Sequence, residues 1–376
     1  MNEAFSRGTM GEQSDSEGSP ATEAERTSEL KNGLIRRRWP FFVIGVVVIL
    51  IGTSYVGVGY MVASQALAAQ PGCGTFADNT PDNWTVTEDW NSSYFQNSEN
   101  AERRVSIRRD FNLTEYMIDE YENVTFKPRG GENINLVGWY VEVDSEAPAI
   151  IMVHGIGLNG KCKNEMMLAQ AMLSRQGLNT LNIDMRNYGF SDTPDDYIGV
   201  GWKEYRDVLG AYDWLVAQKG YEAGEVGLFG ISGGGGTAIA LMKEEGLGAL
   251  WLDSAWLDWP LVVGNELERL GFPRFLAGPA LRVGGQLADV DFKETPPMDL
   301  ADQLNGRPVY LQHADGDTRV SVQHAYNFKE KADRNGGNVT HWNMDGYNHV
   351  DVMWAFPEEY ETKMGEFFHS GLSNPE

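Results

Sequence analysis

The hydrophobic positions of the chain follow two different patterns. Between Trp39 and Ala77 there is no charged residue, and residues 41–52 form a continuous apolar run. About 20 apolar residues are enough to cross a bilayer, so the span predicts a transmembrane helix over residues 39–64. Beyond Asn112, short apolar runs instead alternate with longer segments of helical periodicity. That alternation is typical of a mostly parallel sheet with helices on both faces.

The second pattern predicts the elements of an α/β domain over residues 113–376. Apolar runs bounded by turn residues predict strands at 121–126, 136–143, 148–154, 179–184, 226–231, 249–253, 308–313 and 338–343. Helical periodicity predicts helices at 164–175, 202–218, 237–246, 322–334 and 351–369. The pattern loosens over residues 254–307, where proline and glycine stand among aromatic and leucine residues. We expect a helical, lid-like insertion there, with an ordinary packed helical segment as the alternative.

Charge predicts the topology of the N-terminal part. Residues 1–38 are rich in Gly, Ser, Glu and Thr with few aromatic residues, which is typical of a disordered tail. Lys31 and residues 36–38 place four basic side chains directly before the apolar span, whereas the first charge after it is Asp78. The positive-inside rule therefore predicts a cytoplasmic tail and an extracytoplasmic C-terminal domain. A cleaved secretion signal is the alternative, because residues 66–68 resemble a small-residue cleavage site.

The following segment and the composition narrow the function classes. Residues 65–112 are polar without clear periodicity, and we expect an extracytoplasmic stalk. The two cysteines, Cys73 and Cys162, allow one disulfide outside the cell. The net charge is −24, and beyond residue 38 the chain has 47 acidic and 24 basic residues with no Lys/Arg cluster to supply a basic face, which argues against nucleic acid as a partner. Neither cysteine stands with His or acidic residues at metal-ligand spacing, so the sequence predicts no metal site and no cofactor.

The strongest candidate for chemistry is a serine in a glycine-rich turn. Residues 230–234 read Gly-Ile-Ser-Gly-Gly, which matches G-x-S-x-G directly after a buried strand. In that motif a sharp strand-to-helix turn lifts the serine hydroxyl above the sheet, so Ser232 is the candidate nucleophile. A structural glycine turn after a strand is the alternative, and the motif alone does not choose between them.

Four further segments, each at the end of a predicted strand, supply the context. They are His154 to Gly157, Asp184 to Ser191, His313 to Asp317, and Gly346 to His349. With the serine motif they resemble an α/β-hydrolase over residues 113–370, with the triad order Ser, acid, His that this family requires. Within the family the chain is most similar to the dienelactone-hydrolase-like and prolyl-oligopeptidase-like bacterial serine hydrolases. Ala314 departs from the pattern, since the family usually has glycine there.

The resemblance implies a catalytic triad, with Ser232 attacking a carbonyl carbon, His349 moving the proton and Asp317 orienting the imidazole. Backbone N–H groups of Gly233 and Ile156 would bind the oxyanion, with Gly157 as the alternative second donor.

Competing residues fit other roles. Asp315 precedes a glycine and is typical of a turn former, and His341 lies inside an alternating strand. Asp253 would precede the insertion and is a distant rival acid. We expect His154 and His313 to be structural. Asp184 and Arg186 are expected to organise their loop.

These features predict a membrane-anchored extracytoplasmic serine hydrolase that cleaves a carboxylic ester, thioester or amide. Its substrate would be a small-molecule or lipid-like acyl compound, and the single N-terminal helix would be its contact with the membrane. Two alternatives remain open, namely a non-catalytic binding module on the same fold and a serine peptidase of prolyl-oligopeptidase type. All three candidate triad residues are present, which favours an enzyme.

Overall fold

The computed structural model describes residues 22–74, 77–85, 101–157, 161–244, 246–269, 271–294 and 296–372, without the side chains of residues 29 and 35. The chain forms two units that are divided after Ser54.

Helix α1 (Glu23–Ala66) contains the predicted span and is long and apolar enough to cross a membrane. It begins earlier than predicted, because the Glu25 carboxylate accepts the Thr22 N–H at 2.9 Å, one half of a capping box. Mostly good helix formers lead from Glu23 toward the apolar run, and the helix continues through Pro40, since adding residues to an existing helix is favourable. Residues 23–38 of the predicted disordered tail are thus helical, and residues 1–21 lie outside the described residues.

The second unit is built on one sheet of eight strands. They are β1 (Glu122–Phe126), β2 (Leu136–Val141), β3 (Ala149–Val153), β4 (Asn179–Asp184), β5 (Val226–Ile231), β6 (Leu247–Asp253), β7 (Val309–Ala314) and β8 (Val339–Met344). The order is β1-β2-β4-β3-β5-β6-β7-β8. Of these eight strands, β2 runs opposite to the other seven, and the pairs that do not include β2 are parallel. The predicted α/β class with a mostly parallel sheet is confirmed.

The helices are α2 (Ala101–Arg109), α3 (Met167–Arg175), α4 (Tyr205–Trp214), α5 (Ser232–Ala238), α6 (Trp259–Arg269), α7 (Ala277–Ala288), α8 (Gln323–Arg334), α9 (Val352–Ala355) and α10 (Pro357–Gly371). Two differ from prediction. Helix α5 already starts at Ser232, since the glycine run forms its first turn instead of preceding it. The predicted closing helix is divided at Pro357, which has no N–H to continue a helix and starts a new one.

Apolar layers cover both faces of the sheet. Along β3, Ile151 and Val153 join one buried cluster with α4 and α8, whereas Ile150 and Met152 join the other with α3 and α10. Successive strand residues point to opposite faces, so a strand buried on both sides needs a continuous apolar run. In a parallel sheet the carboxyl ends of the strands lie at the same edge, and the candidate segments follow those ends.

The segment predicted as a stalk packs on the domain wherever it is described. The backbone N–H of Gly72 donates to Gly189 O at 2.8 Å, and Cys73 forms a disulfide with Cys162. Arg104 and Arg108 of α2 are buried. The stalk prediction was wrong here, because periodicity along the chain does not register polar contacts with distant residues.

The predicted lid-like segment contains α6 and α7, joined through a 3-10 turn at Arg274–Leu276. Helix α7 lies against the end of α1, since a Cβ on Gly59 would stand 3.1 Å from Pro279 O. The lid role itself stays a prediction.

Candidate active site

Ser232 lies on the turn between β5 and α5. Its φ is 51°, the left-handed region that costs a non-glycine residue about 1–3 kcal/mol. Glycines make the turn possible, because a Cβ on Gly234 would stand 2.1 Å from His154 O. Likewise, a Cβ on Gly230 would stand 2.8 Å from the Cα of Gly235. The local sequence thus holds the serine in a strained and closely packed position, as the motif predicts.

His349 comes to this serine from the loop after β8. Its Nε2 lies 3.0 Å from Ser232 Oγ, and its ring is buried. Asn348 braces the loop, since its Oδ1 accepts the N–H of His349 at 2.7 Å and that of Thr318 at 3.1 Å. Val350 has a φ of 54°, which is unusual for a β-branched residue and shows that the surrounding contacts impose this backbone.

Asp317 completes the series on the other side of the imidazole. Its Oδ2 lies 2.7 Å from His349 Nδ1, while its Oδ1 accepts the backbone N–H groups of Arg319 at 2.9 Å and Val320 at 2.8 Å. His313 Nε2 also lies 3.4 Å from Oδ2 and bonds Val320 O at 2.8 Å. Two backbone donors therefore fix Oδ1, and both histidines face Oδ2, with His349 the nearer.

Burial and charge shift the pKa values of Asp317 and His349 in opposite directions. Burial alone would raise the pKa of Asp317, but the charges and hydrogen bonds of His349 and His313 bring that pKa well below its usual range. Burial lowers the pKa of His349, and Asp317 only partly opposes this. At neutral pH the arrangement is an ionised carboxylate, a neutral imidazole and a hydroxyl.

The loop after β3 passes beside the serine. A Cβ on Gly155 would stand 3.5 Å from Ser232 Cβ, and one on Gly233 would stand 3.0 Å from the backbone N of Ile156. A Cβ on Gly157 would stand 2.6 Å from an Arg319 Nη. The candidate oxyanion donors Gly233 and Ile156 are thus adjacent, and Gly157 lies next to the segment that follows Asp317.

The conformation of that loop is fixed by a charged residue. Glu165 Oε2 accepts the Gly155 N–H at 2.9 Å, and Glu165 pairs with Lys161. Burial would raise the pKa of Glu165, but the Lys161 charge lowers it below its usual value. The carboxylate therefore holds the loop in its ionised form.

The competing residues have other contacts. Asp315 Oδ1 accepts the Gly346 N–H at 2.6 Å, which ties its turn to the histidine loop. His341 lies on β8 with its ring 5.1 Å from that of Tyr326, and burial lowers its pKa to about 4. The structure thus brings together Ser232, His349 and Asp317 and places these two rivals elsewhere.

Asp253, the rival acid at the end of β6, belongs to a buried network. Its Oδ1 accepts Ser254 Oγ at 2.8 Å and its Oδ2 accepts the Tyr360 hydroxyl at 2.7 Å. Burial raises the pKa of Asp253 to about 6. Ser254 Oγ in turn accepts the Val350 N–H at 3.2 Å, so Asp253 reaches the histidine loop through Ser254. Sequence reasoning considered Asp253 only as an acid and missed this bracing contact.

The histidine and charged residues expected to be structural are engaged within the fold. His154 Nδ1 donates to Gly155 O at 2.8 Å and its Nε2 accepts the Met185 N–H at 3.3 Å, which requires a neutral ring. Burial lowers the pKa of His154 accordingly.

Asp184 at the end of β4 and Arg186 just after it form buried ion pairs. Arg186 pairs with Asp207 at 2.7 Å, and Asp184 pairs with Lys163 at 2.5 Å.

Tryptophans that the sequence left unassigned form one wall beside the nucleophile. The backbone N–H of Trp256 donates to Ser232 O at 3.1 Å, and the Trp256 ring lies 5.8 Å from that of Trp259. Trp202 and Phe292 continue the cluster, with centroids 5.1 and 5.7 Å from Trp259. Their separation along the chain gives no sequence signal for this contact.

Charged residues near the histidine were also missed. Burial would raise the pKa of Glu266 on α6, but Arg269 lowers it by a hydrogen bond and by charge, and the charges of Arg319 and His349 add to this. The insertion therefore brings a carboxylate within electrostatic range of the candidate base.

Comparisons with known proteins agree with this fold. The sequence profile of the alpha/beta hydrolase family matches residues 150–352. An esterase from Pyrococcus furiosus is 22% identical with a TM-score of 0.56, over 70% of this chain and 96% of that one. An acylaminoacyl peptidase from Pyrococcus horikoshii is 19% identical with a TM-score of 0.52, over 68% of this chain and 42% of that one. An alpha/beta hydrolase from Penicillium sp. sh18 is 16% identical with a TM-score of 0.52, over 67% of this chain and 99% of that one. Because the profile covers more than half of the chain, this protein belongs to the alpha/beta hydrolase family.

Proposed function

We propose that this protein is a membrane-anchored extracytoplasmic serine hydrolase that cleaves a carboxylic ester through an acyl-enzyme on Ser232. The observation that carries the proposal is the unbroken hydrogen-bond series from Ser232 Oγ to His349 Nε2, 3.0 Å, and from His349 Nδ1 to Asp317 Oδ2, 2.7 Å. A nucleophile, a base and a group that orients the base are the parts acyl transfer needs.

The reaction has two halves. The Ser232 hydroxyl gives its proton to His349 Nε2 while Oγ bonds to the ester carbonyl carbon, and the tetrahedral intermediate forms with its negative charge on the former carbonyl oxygen. His349 then gives that proton to the leaving alcohol oxygen as the carbon–oxygen bond breaks. In the second half water replaces the alcohol. His349 takes a proton from water, hydroxide adds to the acyl carbon, and the carboxylic acid departs as Ser232 regains its proton.

Asp317 stabilises the charge that appears on His349 in both halves. It remains ionised because its pKa lies well below its usual range. Backbone N–H groups of Gly233 and Ile156 are the proposed oxyanion donors, with Gly157 as the alternative. Losing one such donor typically costs about 10²–10³ in rate.

The wall beside the nucleophile supports an apolar acyl group. The Trp256 backbone is hydrogen-bonded to Ser232 O, and its partly buried ring packs against the buried Trp259, so we infer that the Trp256 ring faces the acyl side of the site. Apolar area removed from water contributes about 25 cal/mol per Å², so an acyl chain on this wall would gain affinity with length. A small-molecule or lipid-like acyl substrate fits this chemistry, and thioesters share the same carbonyl reaction.

Two features support the location. Four basic side chains, Lys31 and residues 36–38, precede the apolar run, which favours a cytoplasmic N-terminus. The disulfide between Cys73 and Cys162 suits an oxidising compartment. Protease added to intact spheroplasts should digest the domain and spare a tag at residue 1. Protection of the domain would overturn the orientation, and a mature protein lacking residues 1–68 would show a cleaved signal instead.

The activity is tested on the full-length protein in detergent. A fluorophosphonate probe should label the wild type and leave Ser232→Ala unlabelled, and p-nitrophenyl esters of increasing acyl length should be hydrolysed by the wild type alone. The rates of hydrolysis of matched acyl thioesters and N-acylaminoacyl p-nitroanilides then rank ester, thioester and amide bonds as substrates. Faster cleavage of the anilides would favour a peptidase, and absence of both labelling and turnover would favour the binding module.

A further inference from the structure

Helix α2 lies outside the residues matched by the family profile, yet it reaches the loop that carries His349. Two of its arginines, Arg104 and Arg108, stand four positions apart and therefore project from one helix face. Both are buried, with 1% and 3% exposed surface, and both meet Asp351, which is 1% exposed. Long cationic side chains are rarely buried this deeply unless they are paired.

The contacts converge on the two residues that follow His349 and on His349 itself. Arg104 Nε donates to both oxygens of Asp351 at 2.9 and 3.1 Å, and an Nη of Arg104 donates to the backbone O of His349 at 3.3 Å. Arg108 donates to Asp351 Oδ1 at 2.5 Å and to Val350 O at 3.1 Å. The carbonyl groups of the histidine loop are thus held from α2.

Asp351 transmits this hold back into the loop. Its Oδ2 accepts the Asn348 N–H at 3.1 Å, and Asn348 Oδ1 accepts the N–H of His349 at 2.7 Å. Burial would raise the pKa of Asp351, but the charges of Arg108 and Arg104 lower it, so the carboxylate is ionised and accepts all these bonds. Asp351 thus ties Arg104, Arg108 and Asn348 to the loop that contains the left-handed Val350.

A third arginine of α2 extends the same contact. Arg103 donates to the backbone O of Gly346 and lies 4.4 Å above the ring of Tyr347. The histidine loop is therefore contacted by α2 from Gly346 to Asp351, and the contact covers backbone atoms that the loop does not satisfy by itself.

We propose that Arg104 and Arg108 are positioning residues for His349, so that the segment between the membrane helix and the hydrolase domain is part of the catalytic machinery. This inference rests on the proposed serine hydrolase activity. A displacement of about 1 Å of a catalytic group can cost roughly 10² in rate, so a loosened histidine loop lowers kcat while the acyl wall and KM are unchanged.

The experiment compares Arg104→Gln with Arg109→Gln in the full-length protein. Arg109 is on the same helix, but its side chain is 59% exposed and pairs with the neighbouring Asp110. Hydrolysis of p-nitrophenyl butyrate should show kcat lowered about 10²-fold in Arg104→Gln with KM changed less than about twofold. Arg109→Gln should match the wild type in both. Thermal unfolding of each variant reports whether it is folded at the assay temperature.

Arg104→Lys decides the case if Arg104→Gln does not fold. A lysine keeps the charge beside Asp351 but has one ammonium group, which does not reproduce the Nε contact with both Asp351 oxygens together with the Nη bond to His349 O. Its kcat should fall between those of the wild type and Arg104→Gln. A folded Arg104→Lys with wild-type kcat would overturn the proposal.

A double-mutant cycle separates positioning from general loss of structure. In a His349→Ala background, Arg104→Lys should leave the residual rate unchanged, because the arginine acts through the missing imidazole. An equal loss in both backgrounds would refute the positioning role. The proposed function fails separately, since in that case the wild type itself shows no Ser232-dependent labelling by the fluorophosphonate probe.

Discussion

Replacement of Asp317 by asparagine tests the candidate acid with the least change of shape. In the wild type, Oδ1 accepts two backbone N–H groups, from Arg319 and Val320, while Oδ2 faces His349 Nδ1. The asparagine carbonyl must keep the position facing the two backbone donors. Its NH₂ group is therefore forced toward His349 Nδ1.

That orientation changes the tautomer of the histidine. An NH₂ group donates, so Nδ1 must give up its hydrogen and Nε2 must carry one instead. The ring would then donate to Ser232 Oγ and have no free lone pair to take its proton. The loss expected for this kind of replacement is about 10⁴ in kcat. At 1.36 kcal/mol for each factor of ten, this corresponds to about 5 kcal/mol of transition-state stabilisation.

The assay measures kcat and KM for p-nitrophenyl butyrate with the full-length variant, alongside its thermal unfolding. Asp315→Asn is the matched control, because that residue lies in the same turn and its oxygen accepts the Gly346 N–H at 2.6 Å. It should cost about 1 kcal/mol of stability and little activity. If Asp317→Asn stays within tenfold of the wild type while folded Asp315→Asn is inactive, the tautomer argument is refuted.

Three further predictions follow from the same geometry. Ser232→Ala and His349→Ala should reach a similar residual kcat, and the double variant should fall little further, because triad members act as a unit; additive losses would show independent roles. The kcat/KM of the wild type should rise with pH through an apparent pKa below 6.5, since burial lowers the pKa of His349 and only the neutral ring accepts a proton; a midpoint above 7 in a pH titration would contradict this. Gly234→Ala should destabilise the fold by about 1–3 kcal/mol or more, because its Cβ would stand 2.1 Å from His154 O, whereas Gly157→Ala meets only a flexible side-chain end at 2.6 Å and should melt near the wild type in calorimetry.

Much of the fold was predictable because its signals are local. The strand at 179–184 has the predicted bounds and the strand before Ser232 starts at Val226 as predicted, since a strand buried on both faces appears directly as an apolar run. The serine turn was equally readable, because the strained φ of Ser232 and the close approach at Gly234 both require glycines at fixed positions nearby. Where local preference was ambiguous the bounds were wrong, as at α5, since a glycine run does not itself indicate where a helix starts.

The sequence by itself therefore determined the α/β class, the apolar N-terminal helix and the segments that meet at the carboxyl edge of the sheet. Only the tertiary structure decided which distant polar residues meet. Arg104 and Asp351 are 247 positions apart, and Cys73 and Cys162 are 89 apart, so no periodicity connects them. Such pairs depend on the path of the whole chain, because a buried charge is stable only where folding delivers its partner. The segment predicted as a stalk packs on the domain because Cys73 and Arg104 in it meet partners far along the chain.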